Sequence, residues 1–329
     1  MTNPLVSVLV PVFNNEEFLH TSIQSLTSQS LEEFEVIIAD DNSGDESMAV
    51  SSKLIGSDPR FRFIFGQMHC GMTRNWNRAL REATGKYIAK LDADDAFAPR
   101  TLELLVKEME QTPDTRATFC RTVICDENLE PMSCYRGDQG FLLQGLDPLS
   151  HHLEYGHRWY KMCFDDIQLW HSNALLYRKD YLVGLGGWDE KWSCAADTDL
   201  ILRTLEKNDS VAHIPYAGVK YRIREGSVSN TFRKRGWLAI EGTVLHLLSL
   251  VRYSRSGGRL DFHLRKAWWR FWKNFQDLVS SDQEEMSGYP DAIRLHLSDE
   301  VKNSVRPPMR VLLEGIVRQR LWELKQVGQ

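Results

Sequence analysis

Apolar positions follow two rhythms in the front half of the chain. Val6-Ser7-Val8-Leu9-Val10-Pro11-Val12-Phe13 is rich in β-branched residues and stops at Asn14-Asn15, which reads as a strand handing over to a helix cap. Leu19, Ile23 and Leu26 follow at helical spacing. Phe34–Ala39 repeats the strand pattern and ends in Asp40-Asp41-Asn42-Ser43-Gly44, where Ser43 and Glu46 fit a capping box for another helix. Phe61–Phe65 is a short third strand. A helix with Trp76, Leu80 and Ala83 on one face comes next and stops at Gly85. Tyr87–Leu91 is a fourth strand running into Asp92-Ala93-Asp94-Asp95, and Pro99 opens a helix bearing Leu102, Leu105, Val106 and Met109. Strands and helices alternating with short connections predict an α/β fold, a mostly parallel sheet flanked by helices on both faces.

From about residue 231 the strand rhythm fades. Leu264, Trp268, Phe271, Trp272, Phe275, Leu278 and Val279 form one helical stripe, with Arg265, Lys266, Arg270 and Lys273 beside it. Ser254–Gly258 is a hinge, and Arg306-Pro307-Pro308 breaks the next helical stretch. The expected division is therefore 1–230, the α/β part, and 231–329, a mainly helical region. Charge divides the same way: residues 231–329 hold 17 Lys/Arg and 11 Asp/Glu, the rest 23 and 34. Packing, a homo-oligomer interface and peripheral membrane contact through residues 260–280 are the three readings of the stripe.

With 329 residues, 42% apolar and 26% charged, the chain has the composition of a folded protein rather than a disordered or fibrous one. Mean hydropathy is −0.38, and no apolar run is long enough to span a bilayer. Met1-Thr2-Asn3-Pro4 lacks the basic flank of a secretory signal, and the six cysteines show no C-x-x-C pair. Free thiols in a cytoplasmic protein are expected, at the inner face of the membrane if the basic stripe meets lipid. Net charge of −5 and the absence of a recognition motif argue against nucleic acid.

In an open α/β sheet, ligands bind beyond the carboxyl ends of the strands. Those ends carry Pro11-Val12-Phe13-Asn14, Asp40-Asp41 and Asp92-Ala93-Asp94-Asp95. Five carboxylates gathered there repel one another and favour a hard divalent cation, Mg²⁺ or Mn²⁺, which takes oxygen ligands and completes its shell with water and phosphate. No glycine-rich phosphate loop occurs, so a diphosphate needs metal to neutralise it.

The chain resembles the family 2 glycosyltransferases, which have the GT-A fold and are mostly inverting. The resemblance rests on Val6–Asn14, Ile38–Ser43, Trp76-Asn77-Arg78-Ala79-Leu80 with Gly85–Ile88, Leu91–Asp95, Gly186-Gly187-Trp188-Asp189-Glu190, Asp197-Thr198-Asp199-Leu200 with Arg203, and Tyr221-Arg222 with Ser227. It implies a nucleoside-diphosphate-sugar donor, foremost a UDP-sugar, and a glycan or other hydroxyl acceptor. It also implies roles: Pro11, Phe13 and Asn14 lining the nucleotide pocket, Asp41 accepting from the base with Asn77 nearby, and Asp92 facing ribose or donor sugar. Asp94 would ligate metal, Arg222 reach the diphosphate, Trp188 face the acceptor and Asp197 act as general base. The sequence departs from the family at Ala196, where an acidic residue usually precedes the aspartate, and at Arg224, where a histidine is frequent. Blander readings stand beside these: a solvated turn for Asp92 and Asp94, a capping loop for Asp40-Asp41, a helix cap for Asp197, and core packing for Trp76. A sugar-1-phosphate nucleotidyltransferase would need a glycine-rich basic loop after the first strand. A non-catalytic sugar-nucleotide-binding scaffold is the other alternative.

Overall fold

The computed structural model describes residues 4–136, 138–143, 145–165, 171–234 and 237–255. The stripe at 264–279 and the helix breaker at 306–308 lie outside the described residues. In chain order the elements are β1 Val6–Val12, α1 Leu19–Thr27, β2 Phe34–Asp40, α2 Ser47–Ile55, β3 Phe61–Phe65, α3 Met72–Glu82, β4 Tyr87–Lys90, β5 Ala96–Phe97, α4 Thr101–Gln111, β6 Thr115–Cys125, β7 Pro131–Arg136, α5 Asp138–Leu143, β8 His152–Tyr155 and α6 Gly156–Asp165. They continue with β9 Leu175–Arg178, α7 Lys179–Gly184, α8 Ala196–Glu206, β10 Ser210–Arg222, α9 Val228–Lys234 and α10 Trp237–Arg255. The described chain forms two compact units, one of residues up to Glu190 with Asn208–Arg224, the other of Lys191–Lys207 with the described residues from Glu225 onward.

The first unit is built on one sheet in the order β3-β2-β1-β4-β9-β6-β10-β5, with β7 paired to β6 and β8 to β10. β3, β2, β1 and β4 run parallel, as do β6 and β10. β9 joins the two parallel blocks by lying antiparallel to both β4 and β6. The class is α/β, with helices flanking a mostly parallel sheet, as the alternation of patterns requires. β1 is buried along its whole length apart from half-buried Pro11, the signature of a strand covered on both faces. Leu19, Ile23 and Leu26 of α1, and Leu102, Leu105, Val106 and Met109 of α4, enter the same core. Ser7 is a buried polar residue of β1. Its hydroxyl donates to Glu35 Oε1 at 2.6 Å and accepts the Gly85 N–H at 2.8 Å. α3 ends at Glu82, with Ala83 already extended, so Gly85 is not the helix stop expected there; it has to be glycine for packing, since a Cβ at position 85 would sit 2.6 Å from the Ser7 nitrogen.

Two local expectations change. The capping box does not form, because the Ser43 hydroxyl donates instead to Asp40 Oδ1 at 2.6 Å and α2 begins without a side-chain cap. Asn15 receives α1 through its backbone oxygen, which accepts from the N–H groups of Phe18 and Leu19.

In the second unit α8 packs on α10. Asp199, 1% exposed, accepts from Arg203 Nε at 2.6 Å and Arg252 Nη2 at 3.2 Å. Glu206 accepts from Arg252 Nε at 2.8 Å and from the Ser249 hydroxyl at 2.6 Å. This buried network joins the two helices by charges that are paired rather than isolated. No helix among the described residues is long and apolar enough to cross a membrane.

Candidate active site

Parallel register puts the informative strand ends at one edge of the sheet: Val12 lies opposite Asp40, and Leu9 opposite Lys90. At the end of β1 the backbone of Asn14 turns left-handed, φ 51°. Its N–H donates to Ser43 Oγ at 3.0 Å and its Oδ1 accepts the Gly44 N–H at 2.8 Å, tying the β1 and β2 loops together. Phe13 is exposed and Pro11 half-buried. Asp40 is spent locally, accepting from the Ser43 N–H and hydroxyl. Asp41 is buried and reaches the 69–71 segment: its oxygens accept the N–H groups of Cys70 at 3.0 Å and Gly71 at 2.8 Å and the Cys70 thiol at 2.9 Å, and His69 Nδ1 lies 2.9 Å from Oδ2.

The acidic run after β4 is threaded with cations. Lys90, its side chain only 2% exposed, donates to Asp92 Oδ1 at 2.7 Å while its ammonium lies 4.3 Å from the centre of the Trp76 ring. Arg224 Nε donates to Asp94 Oδ2 at 2.9 Å. Asp95, fully buried, accepts from Asn173 Nδ2 at 2.5 Å and from the Arg222 backbone N–H at 2.9 Å. Burial, and then the charge of Asp92, push the Asp94 carboxyl above its ordinary range against the pull of Arg224. Burial followed by the charges of Asp94 and Asp92 pushes Asp95 well above it.

Arg222, expected to reach a diphosphate, is buried with its guanidinium committed elsewhere. Nε donates to the Asp94 backbone oxygen at 2.7 Å, Nη1 donates to the Glu127 oxygen, and the group lies over Phe18. It is a clamp on the acidic loop. Arg224 is the guanidinium that touches the carboxylate itself; it also donates to Asn15 Oδ1 at 3.3 Å. Asn77 and Trp188 are brought to each other. The Asn77 amide donates to the Trp188 oxygen at 2.7 Å and to Glu190 Oε1 at 3.1 Å, and accepts the Trp188 N–H at 3.0 Å. Trp188 is buried edge-on against Trp76, ring centroids 5.6 Å apart. Gly187 in between has φ 66°, and a Cβ there would meet Asn77 Oδ1 at 2.6 Å.

In the second unit Asp197 is half-buried in the first turn of α8. The helix N-terminus there favours an anionic side chain. Just before it, Glu241 of α10 accepts the N–H groups of Ser193 at 2.9 Å, Cys194 at 2.8 Å and Ala195 at 2.8 Å, and the Cys194 thiol at 3.1 Å.

A family model described as Glycosyl transferase family 2 matches residues 7–169. An uncharacterized glycosyltransferase of Methanocaldococcus jannaschii is 30% identical over 225 residues, 68% of this chain and 72% of that protein. The chain belongs to glycosyl transferase family 2. Other relatives are much longer than the region they share with this chain, which spans about a quarter or less of their length. An uncharacterized Sinorhizobium fredii protein is 29% identical over 243 residues, 70% of this chain but 24% of its own length. Chondroitin synthase of Pasteurella multocida is 36% identical over 105 residues, 32% of this chain and 11% of its own. In fold, this family 2 chain is similar to S. aureus TarS. The crystal structure of TarS 1–349 with UDP superimposes with a TM-score of 0.60 at 16% identity, covering 98% of this chain and 92% of that one. The complex with UDP-GlcNAc gives 0.56 at 16% identity, covering 85% and 82%. The fold is of GT-A type.

The family 2 acidic loop fits a hard cation as a shared ligand rather than as a closed cage. Among the described residues no group of three or more His, Cys, Asp or Glu side chains is arranged to hold a metal by itself. Asp92 and Asp94 keep side-chain exposures of 30% and 19%, so both carboxylates can be reached from solvent. Two carboxylates with phosphate oxygens and water make an ordinary Mg²⁺ or Mn²⁺ shell. Sequence reasoning missed His69, Asn173 and Glu241. Glu241 had a signal, a lone acid inside the apolar run of α10; His69 and Asn173 stand in no pattern that marks them.

Proposed function

We propose that the chain is an inverting, metal-dependent glycosyltransferase that moves a sugar from a nucleoside-diphosphate-sugar donor to an acceptor hydroxyl in polysaccharide or glycan biosynthesis. The observation that carries the reading is the shared sheet edge, where the β1, β2 and β4 ends gather Phe13, Asn14, Asp41, Asp92 and Asp94 on a family 2 scaffold. A UDP-sugar is the donor class favoured, because TarS, the GT-A neighbour, is seen with UDP-GlcNAc and with UDP. Phe13 offers a ring face and Asp41 an acceptor for a base ring N–H. Asp92 and Asp94 would hold the divalent ion, which supplies Lewis-acid stabilisation of the departing diphosphate. Arg224, on Asp94, adds a second positive charge, while Arg222 and Lys90 fix the loop from behind. Asp197 takes the proton from the acceptor hydroxyl as its oxygen attacks the anomeric carbon from the face opposite the leaving group. General-base help of this kind is worth roughly 10²–10⁴ in rate.

The test is nucleoside-diphosphate release and transfer by the purified protein with Mn²⁺ or Mg²⁺ over a panel of sugar nucleotides and acceptors. Asp197→Asn is expected to lower kcat by at least about 10²-fold with donor affinity nearly unchanged. Unchanged transfer in that variant would remove Asp197 from the mechanism. Donor binding without turnover across the panel would favour a sugar-nucleotide-binding scaffold instead.

A further inference from the structure

Phe13 and Asp41 are the two side chains assigned above to the nucleotide base, and both already face the same partner. The His69 ring lies on Phe13, centroids 4.1 Å apart and planes 31° from parallel. Its Nδ1 is 2.9 Å from Asp41 Oδ2. Three hydrogen bonds already reach the two Asp41 oxygens, from the backbone N–H groups of Cys70 and Gly71 and from the half-buried Cys70 thiol. A base stacked on Phe13 with a ring N–H at Asp41 Oδ2 would need the place the imidazole now takes. His69 is the exposed member of the group, 53% accessible.

We propose that His69 occupies the base subsite as a stand-in for the nucleotide and rotates out when the donor enters. The imidazole does the two things a pyrimidine with a ring N–H does: it stacks its flat face on Phe13 and gives one N–H to Asp41. The backbone need not move, because Cys70 and Gly71 hold the segment to the same carboxylate while the His69 side chain turns into solvent. The imidazole thus covers Asp41 Oδ2 in the empty enzyme and sets a competitor against weakly matching ligands. Uracil, with an N–H between two carbonyls, can replace it; cytosine, with a bare ring nitrogen in that position, cannot donate to Asp41.

This inference rests on the donor reading above, and the experiment separates the two. UDP is titrated calorimetrically, with Mn²⁺ present, into the wild-type chain, His69→Ala, Asp41→Asn and the double variant. His69→Ala is expected to bind UDP about three- to tenfold more tightly, since neither the exposed contact with Asp41 nor the stacking on Phe13 then has to be given up. Asp41→Asn is expected to weaken UDP in both backgrounds. In proton NMR of the wild-type chain, the His69 ring resonances, shifted by the Phe13 ring current, move toward free-imidazole positions as UDP saturates. Weaker or unchanged UDP binding by His69→Ala, or His69 resonances that stay put at saturation, overturns the stand-in while leaving the donor reading intact. No UDP binding by either the wild-type chain or His69→Ala contradicts both.

Discussion

Removing Glu241 tests whether a single carboxylate organises the loop that leads into Asp197. The side chain is 3% exposed, and it collects three successive backbone N–H groups, of Ser193, Cys194 and Ala195, plus the Cys194 thiol. A hydrogen bond to a charged group is worth about 1.5–3 kcal/mol. The donors share one acceptor and adjacent residues, so their contributions do not add. Stripping the acceptor from a buried charged site costs about 3–5 kcal/mol, and that is the expected loss for Glu241→Ala. Glu241→Gln keeps Oε1 for Ser193 but turns an NH₂ toward the N–H groups of Cys194 and Ala195, so about 2 kcal/mol of the loss should remain. The assay is urea denaturation of the full chain at neutral pH, followed by tryptophan fluorescence. A midpoint for Glu241→Gln indistinguishable from wild type would refute the assignment, since an amide cannot satisfy both orphaned N–H groups.

Two more perturbations read other parts of the structure. Gly187→Ala should cost about 2–4 kcal/mol, and Gly186→Ala only about 1–2 kcal/mol, because both positions have positive φ but only a Cβ at 187 meets the Asn77 amide; equal losses in thermal unfolding would show that the Asn77–Trp188 pairing is not tight. His213 is buried among Phe119, Phe141 and His152, and burial holds its imidazole down to about 3. The native state therefore refuses a proton that the unfolded chain accepts below about 6.5. Stability is full above that pH and falls as pH drops toward 3, by up to about 1.4 kcal/mol per unit; a His213→Phe variant measured at pH 7 and pH 5 should lose less on acidification than wild type, and an equal loss would contradict the burial argument.

The sequence made the parallel half of the fold legible because β1, β2 and β4 are strands buried on both faces, and such strands show as unbroken β-branched runs. It hid β5 to β10: β5, β7, β8 and β9 are short or lie at sheet margins, and in β6 and β10 charged and polar residues such as Arg116, Arg121, His213 and Lys220 interrupt the apolar run. The acidic strand ends were readable for the same reason the strands were: once their order is known, so is the edge they share. What could not be read is how each carboxylate is neutralised. The repulsion expected among them is met partly by Lys90, Arg222 and Arg224, and the last two approach from β10 and the residues after it, more than a hundred positions away. Arg222 and Arg224 looked interchangeable in sequence, yet one is buried on backbone oxygens and the other touches Asp94. Asn77 and Trp188 were expected on the donor and acceptor sides; their mutual hydrogen bonds depend on a left-handed glycine that sequence spacing does not reveal.

In the proposed mechanism the loop after β4 grips a metal-bound nucleoside diphosphate through Asp94. Its most direct measurement is calorimetric titration of UDP, with and without Mn²⁺, into the wild-type chain and Asp94→Ala. The account predicts that Mn²⁺ strengthens UDP binding to wild type by at least about tenfold, roughly 1.4 kcal/mol, and that this gain vanishes in Asp94→Ala while metal-free binding persists. A metal effect of the same size in both proteins would contradict it.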